Sequence, residues 1–302
     1  MPERNYAKIA KLIRYYILIS TTEAGTGHPT SSLSAADIMT VLMFGGYFKT
    51  DLDNPENPEN DRLIFSKGHA SPLFYSLYGA CGKVLKDELL TLRKFNSRLE
   101  GHPTLRFPYT EAATGSLGQG LGVAVGYGLN SKMEAKKGHR EYKTFVLFGD
   151  SEMAEGSNWE SMQVASHYKL NNLIGIIDVN RLGQRGETME GWDVENYKAK
   201  CEAFGWKTIA VDGHNFLEIE KAFRDILSDT ENHKPTMIVA KTVKGKGVSF
   251  LENLPGWHGK TLNKEELARA LEELGEIEEE NYGSLVGGGI YPPREKSYPL
   301  TP

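Results

Sequence analysis

The stretch that decides the fold runs from Thr144 to Asn180. It opens on Thr144-Phe145-Val146-Leu147-Phe148, turns at Gly149-Asp150-Ser151 and closes on Leu173-Ile174-Gly175-Ile176-Ile177-Asp178-Val179-Asn180. Both apolar runs are short and continuous, as expected of strands buried on both faces. Residues 153–168 between them read as a helix, so the unit is strand, helix, strand. Such a crossover is right-handed and lays its strands parallel. Thirty positions, about one such unit, separate Asp150 from Asn180, which predicts that both side chains leave neighbouring carboxyl ends of one sheet.

The same rhythm extends in both directions. A helix is predicted around 215–228, a strand over Met237-Ile238-Val239-Ala240, and an acidic helix over 263–280. Towards the N-terminus, Ile9, Leu12, Ile13, Tyr16 and Ile17 recur at helical spacing within 4–24, and Gly25-Thr26-Gly27-His28-Pro29 breaks that helix. A second helix, Ala35 to Phe44, is expected with Ser31 or Ser34 as its cap. Asp51 to Asp61 reads as a polar loop, and the Gly- and Pro-rich tail from Gly287 as a linker or loose end. The fold class is α/β, a parallel sheet flanked by helices on both faces.

Bulk properties narrow the function. The 302 residues are 39% hydrophobic and 25% charged, enough for a sizeable core. A net charge of −5 argues against a nucleic-acid partner, and Lys241, Lys244 and Lys246 are too few for a basic patch. Cys81 and Cys201 stand far apart with no paired spacing, so neither a disulfide framework nor a thiolate metal site is expected, and a cytoplasmic setting is the simpler one. The charged segment Met1 to Leu12 lacks the core of a signal peptide, and no apolar run approaches the roughly 18 residues that span a bilayer.

Three groups of residues carry chemistry. Asp150 and Asn180 are hard oxygen donors that, with a backbone carbonyl and phosphate oxygens, suit Mg²⁺; a helix N-terminus after Asp150 would face an anion. Asp150 as a plain helix cap is the competing reading. Four histidines, His28, His69, His102 and His258, lie in Gly- or Pro-containing turns without zinc-site spacing. Imidazoles titrating near neutrality suit proton transfer, although a single such histidine is more often a hydrogen-bonded surface residue. The glycines of Thr114-Gly115-Ser116-Leu117-Gly118-Gln119-Gly120-Leu121-Gly122 follow no apolar strand and lack dinucleotide-site spacing. Close helix packing through Gly118, Gly122 and Gly126 is expected instead.

Together these blocks resemble the transketolases. The resemblance covers residues about 5–260. It rests on Gly149-Asp150-Ser151 through Asn180, on Gly27-His28-Pro29-Thr30-Ser31, on Asp61 to Ala70, on Gly101-His102-Pro103 and on Gly256-Trp257-His258-Gly259-Lys260. It implies thiamine diphosphate on Mg²⁺, or on Ca²⁺ in its place, with Asp150, Asn180 and the Leu182 carbonyl as metal ligands. It implies that Gly115 and Leu117 line the pyrimidine side, and that Ser151, Gly156, Gln184 and Lys244 lie near the diphosphate or thiazolium. Glu155 would couple two cofactor sites across a dimer. His28 and His258 would handle the C3 hydroxyl proton of the donor sugar; His69 and His102 would bind its C1 hydroxyl and the cofactor. Ser151 departs from the family's glycine, and its Cβ is expected to weaken cofactor affinity modestly.

The resemblance further implies one cofactor-binding domain over 1–286, followed by a tail over 287–302. Transketolases are about twice as long. The activity, transfer of a two-carbon ketol unit between sugar phosphates as in the pentose phosphate pathway, would therefore need a separate C-terminal (pyrimidine-binding) chain, in an α2β2 assembly. Two other readings stay open: a catalytically silent transketolase-like binding or regulatory protein, and another split thiamine-diphosphate enzyme such as a ketoacid dehydrogenase.

Overall fold

The computed structural model describes residues 5–287. Most of the Gly/Pro-rich tail expected from Gly287 lies outside the described residues. In chain order the helices are α1 (Tyr6–Ala24), α2 (Pro29–Ser34), α3 (Ala36–Phe44), α4 (Ser71–Ala80), α5 (Lys86–Leu89), α6 (Gly120–Ala135), α7 (Gly156–His167), α8 (Val194–Ala203), α9 (Phe216–Ser228) and α10 (Lys264–Leu274). The strands are β1 (Arg62–Phe65), β2 (Thr144–Gly149), β3 (Leu173–Val179), β4 (Lys207–Asp212) and β5 (Thr236–Lys241). They form one sheet in the order β1-β2-β3-β5-β4, and every pairing is parallel.

Side chains alternate across each strand, and the two faces build two cores. Phe65, Phe145, Leu147, Ile174, Ile176 and Ile238 pack with the buried stripes of α1, α3, α4 and α9. Val146, Phe148, Ile177, Val179, Met237 and Val239 pack with α6, α7 and α8. Helices thus cover both faces, as the unbroken apolar strands require. Gly175 is the one gap in β3's pattern: a Cβ there would lie 2.5 Å from Met237 Sδ and 3.1 Å from the Phe148 ring.

β2, β3 and β5 match expectation. β1 and β4 do not announce themselves in the sequence. β1 has only four residues, and β4 is an edge strand whose side chains are mostly half-exposed, so neither shows a long apolar run. Three helix boundaries also differ. The expected 153–168 helix is a 3-10 turn, Ser151–Ala154, then α7 after an extended Glu155. The second N-terminal helix, expected over Ala35 to Phe44, is α3, but a further short helix, α2, precedes it, and Ala35 rather than Ser31 or Ser34 stands at the cap of α3. The acidic helix begins at Asn263 with a capping box to Glu266 but stops at Gly275 (φ 71°), not at 280. Glu278 and Glu279 beyond it pair instead with Lys8 and Lys86.

The β2–β3 register sets Gly149 beside Asp178, so Asp150 and Asn180 leave adjacent strands together. Among the described residues no helix is long and apolar enough to cross a membrane.

Candidate active site

Four strand ends deliver polar residues to one place, the carboxyl edge of the parallel sheet. β1 leads to Lys67 and to His69 in a 3-10 turn; β2 to Asp150 and Ser151; β3 to Asp178 and Asn180; β5 to Thr242 and Lys244. Beneath them lies a buried ionic hub. Lys67 Nζ is 2.5 Å from Asp178 Oδ2, both side chains being inaccessible, and also donates to the Ser31 carbonyl at 2.9 Å. Ser34 Oγ and Thr242 Oγ1 donate to Asp178, each at 2.5 Å, and Asn180 Nδ2 at 2.9 Å. Burial alone pushes the Asp178 carboxyl up, but Lys67 and the hydroxyl donors outweigh it and hold it below the ordinary value. Ser34, expected as a helix cap, is spent here.

Above the hub sit the oxygen donors. Asp150 accepts the Ser151 N–H at 2.8 Å and the Arg181 N–H at 2.6 Å. The cap reading of Asp150 is therefore real, but confined to the first amide of the 3-10 turn. Arg181 has φ 62°, a costly backbone for a non-glycine residue, and lies between Asn180 and Leu182. Its guanidinium is tied to Asn253 Oδ1 (2.7 Å) and lies 4.9 Å over the Trp192 ring. Asn180 Oδ1 accepts the Leu182 N–H at 3.2 Å.

The Leu182 carbonyl accepts from Lys244 Nζ at 2.7 Å. A cationic head therefore already sits on one of the three expected metal ligands. With a buried carboxylate, an amide oxygen and a carbonyl, the donor set fits a hard divalent cation. Burial above all, then Asp178, raises the Asp150 carboxyl to about 6. Burial and Lys67 lower the Lys244 ammonium to about 8.

The four histidines converge although they come from four segments. Ring centroids lie 5.1 Å apart for His28 and His69, 4.9 Å for His28 and His258, 5.3 Å for His69 and His258, and 6.4 Å for His28 and His102. Lys244 Nζ, a donor, is 3.0 Å from His258 Nδ1, which makes Nδ1 the acceptor and leaves the ring proton on Nε2. His28 Nδ1 is buried without a protein partner.

The expected titration near neutrality does not hold. Burial, with His102 and Arg93 close by, lowers His28 to about 4; burial and Lys244 lower His258 to about 3. His69 is pushed well below its ordinary value by burial and Lys67, and His102 is lowered by burial and Arg93. All four are neutral near pH 7.

The glycine-rich segment closes one side. Gly115 has φ 132°, and a Cβ on it would lie 2.7 Å from the His102 ring. Glu152, buried, accepts the Gly118 N–H (2.9 Å), the Ser66 hydroxyl (2.5 Å) and the Gly149 N–H (3.2 Å), pinning this segment to the ends of β1 and β2. Leu117 is half-buried in the same segment. The expected glycine packing holds at Gly118, whose Cβ would meet Ser157 Oγ at 2.4 Å. It fails at Gly126, which faces open space, and is only ordinary contact at Gly122.

Glu155 and Gly156 are exposed at the start of α7. Gln184 lines a cavity of about 400 Å³ with Asp150, Ser151, Trp159 and Tyr197, and that cavity contains no histidine.

Sequence reading passed over Lys67, Asp178 and Glu152. The signal for Asp178 was present: one charge inside an otherwise apolar strand must be paired or costly. Its partner Lys67 could not be identified without the β1–β2–β3 order.

A family model described as the transketolase thiamine diphosphate binding domain matches residues 6–283. Mouse transketolase is 46% identical over 265 residues, spanning 88% of this chain and 41% of that protein. The chain thus covers about two fifths of such relatives. One of the subunits of an apulose-4-phosphate transketolase, from Phocaeicola vulgatus, is 37% identical over 265 residues, spanning 86% of this chain and 92% of that one. Among solved structures, Campylobacter jejuni transketolase superposes with a TM-score of 0.84 at 33% identity, over 92% of this chain and 44% of that one. Leishmania mexicana transketolase gives 0.85 at 28%, over 93% and 44%.

Proposed function

This chain belongs to the transketolase family, and we propose that it is the cofactor-binding subunit of a two-chain enzyme that transfers a ketol unit between sugar phosphates. The observation that carries this is the convergence of His28, His69, His102 and His258, four neutral imidazoles, beside Lys244 and the oxygen donors. The two-chain form is supported by the Phocaeicola relative, itself named as a transketolase subunit, of which the chain spans 92%. The partner is a C-terminal transketolase subunit, in an α2β2 assembly. Residues 1–286 act as one thiamine-diphosphate-binding domain in the cytoplasm.

Asp150, Asn180 and the Leu182 carbonyl would hold Mg²⁺ or Ca²⁺, and the Ser151 N–H, His69 and Lys244 would meet the diphosphate. When bound, thiamine diphosphate supplies an electron sink for cleaving the bond between C2 and C3 of a ketose. The protein's own part is binding and proton transfer. His28, neutral and with an unpartnered Nδ1, takes the proton of the donor's C3 hydroxyl. His258, its proton held on Nε2 by Lys244, donates a hydrogen bond to the same oxygen. His102 and His69 bind the C1 hydroxyl. Proton transfer by a positioned side chain is worth roughly 10²–10⁴-fold.

The test is His28→Ala and His258→Ala in the assembled complex, with ketol transfer and thiamine diphosphate binding measured together. A loss of about 10²-fold or more in turnover with cofactor binding kept supports these roles. Wild-type ketol transfer in either variant removes that histidine from the mechanism.

A further inference from the structure

Asp178 stands in a strand otherwise made of Leu, Ile, Gly and Val, fully buried. Lys67, Ser34 and Thr242 already supply it with a counter-charge and two hydroxyl donors. The fourth donor, Asn180 Nδ2 at 2.9 Å, does something to Asn180 instead. The two ends of an asparagine amide have nearly the same shape, so only the hydrogen-bond network decides which end points where. An ionised carboxylate only accepts. It therefore takes the nitrogen end and leaves Oδ1 turned the other way, where it accepts the Leu182 N–H at 3.2 Å. Ser34 Oγ, at 3.5 Å from Nδ2, is too far to compete.

We infer that Asp178 is a positioning residue for the cation site: it fixes the amide of Asn180 with its oxygen available to a metal, and Lys67 holds the accepting oxygen of Asp178 in place. The inference rests on the proposal that Asn180 holds the cation. The hub also ties this orientation to the rest of the site. Lys67 is two residues from His69, Ser31 and Ser34 belong to the helix that follows His28, and Thr242 lies two residues before Lys244. Ligands held by a fixed outer partner lose about 10–100-fold in metal affinity when that partner is removed.

The alternative is that the hub is only a core staple, and affinity compared between two destabilised variants separates the two. Lys67→Met/Asp178→Leu removes the pair without leaving a buried charge. It should still fold, at a lowered unfolding temperature because the Thr242 hydroxyl loses its acceptor, and should raise the dissociation constant for thiamine diphosphate with Mg²⁺ by about 10–100-fold. Asp178→Asn also lowers the unfolding temperature, since it strands the Lys67 charge, but its oxygen, held by Lys67, still accepts from Asn180, so affinity stays within about threefold.

Binding is read on the full chain by titration calorimetry. A third variant, Asn180→Ala, closes the cycle. Adding it to Lys67→Met/Asp178→Leu should weaken binding no more than about twofold further, because residues that act through one another are not additive. A folded Lys67→Met/Asp178→Leu with parental affinity overturns the inference, as do fully additive losses. Should that variant not fold, Asp178→Asn decides: a loss of affinity of about tenfold or more overturns the inference. If Asn180→Ala itself binds normally, the metal assignment falls first.

Discussion

The ammonium of Lys244 lies 2.7 Å from the Leu182 carbonyl oxygen and 3.0 Å from His258 Nδ1, so one side chain spans the oxygen donors and the histidines. A divalent cation that takes the Leu182 carbonyl must displace it. Two like charges about 4 Å apart repel by about 1 kcal/mol in water and about 4 kcal/mol near a protein surface. Lys244→Met should therefore bind Mn²⁺ alone about tenfold more tightly, and thiamine diphosphate more weakly, since a diphosphate loses a cationic partner. Mn²⁺ binding by electron paramagnetic resonance checks this; equal or weaker Mn²⁺ binding contradicts it.

The histidines make a pH prediction. His28 at about 4 and His258 at about 3 lie below the free imidazole value of about 6.5, so the unfolded chain binds protons that the folded chain refuses. The stability they contribute is complete above about pH 6.5 and is lost as pH falls towards 4. The groups facing them, Lys67, Lys244, Arg93, His69 and His102, are cationic or imidazole and push the same way. His28→Gln/His258→Gln should lose less unfolding temperature than the parent between about pH 7 and pH 5. Parallel curves would show that these rings are not buried neutral.

Much of this was legible in the sequence because the deciding strands are central. β2, β3 and β5 are buried on both faces and read as unbroken apolar runs, so the α/β class and the Asp150–Asn180 neighbourhood followed. β4 escaped because an edge strand keeps its side chains half-exposed. The histidines carried no spacing signal of their own. His28 sits at a helix start and His69 in a 3-10 turn, with His102 and His258 in loops, and only the tertiary fold brings them together. Their titration was misjudged for the same reason: burial depresses it most, and the lysines that add to it, Lys67 and Lys244, come from other strand ends. Gly126 misled because a helical glycine looks alike in sequence whether it faces a neighbour or solvent.

Gly115→Ala tests the wall beside His102. A Cβ at φ 132° is strained, and it would sit 2.7 Å from the imidazole. The expected outcome is a loss of about 1–3 kcal/mol in denaturant unfolding together with a shifted His102 ring signal in NMR. An unchanged ring signal would mean that Gly115 does not set the position of His102.

Ser151→Gly tests the departure from the family's glycine. Ser151 belongs to a 3-10 turn and has a negative φ, so its backbone is unstrained, and only its side chain can crowd a diphosphate. The substitution should tighten thiamine diphosphate about two- to fivefold while costing about 0.5–1 kcal/mol of stability. An unchanged dissociation constant would acquit the serine.

The most direct measurement is ketol transfer from xylulose 5-phosphate to ribose 5-phosphate with thiamine diphosphate and Mg²⁺, comparing the purified chain with an affinity eluate from its native lysate. Activity in the eluate alone, with a co-eluting C-terminal transketolase subunit, is the predicted result. Activity in the purified chain would contradict the two-chain enzyme, and silence in an eluate that contains the partner would contradict ketol transfer between these sugars.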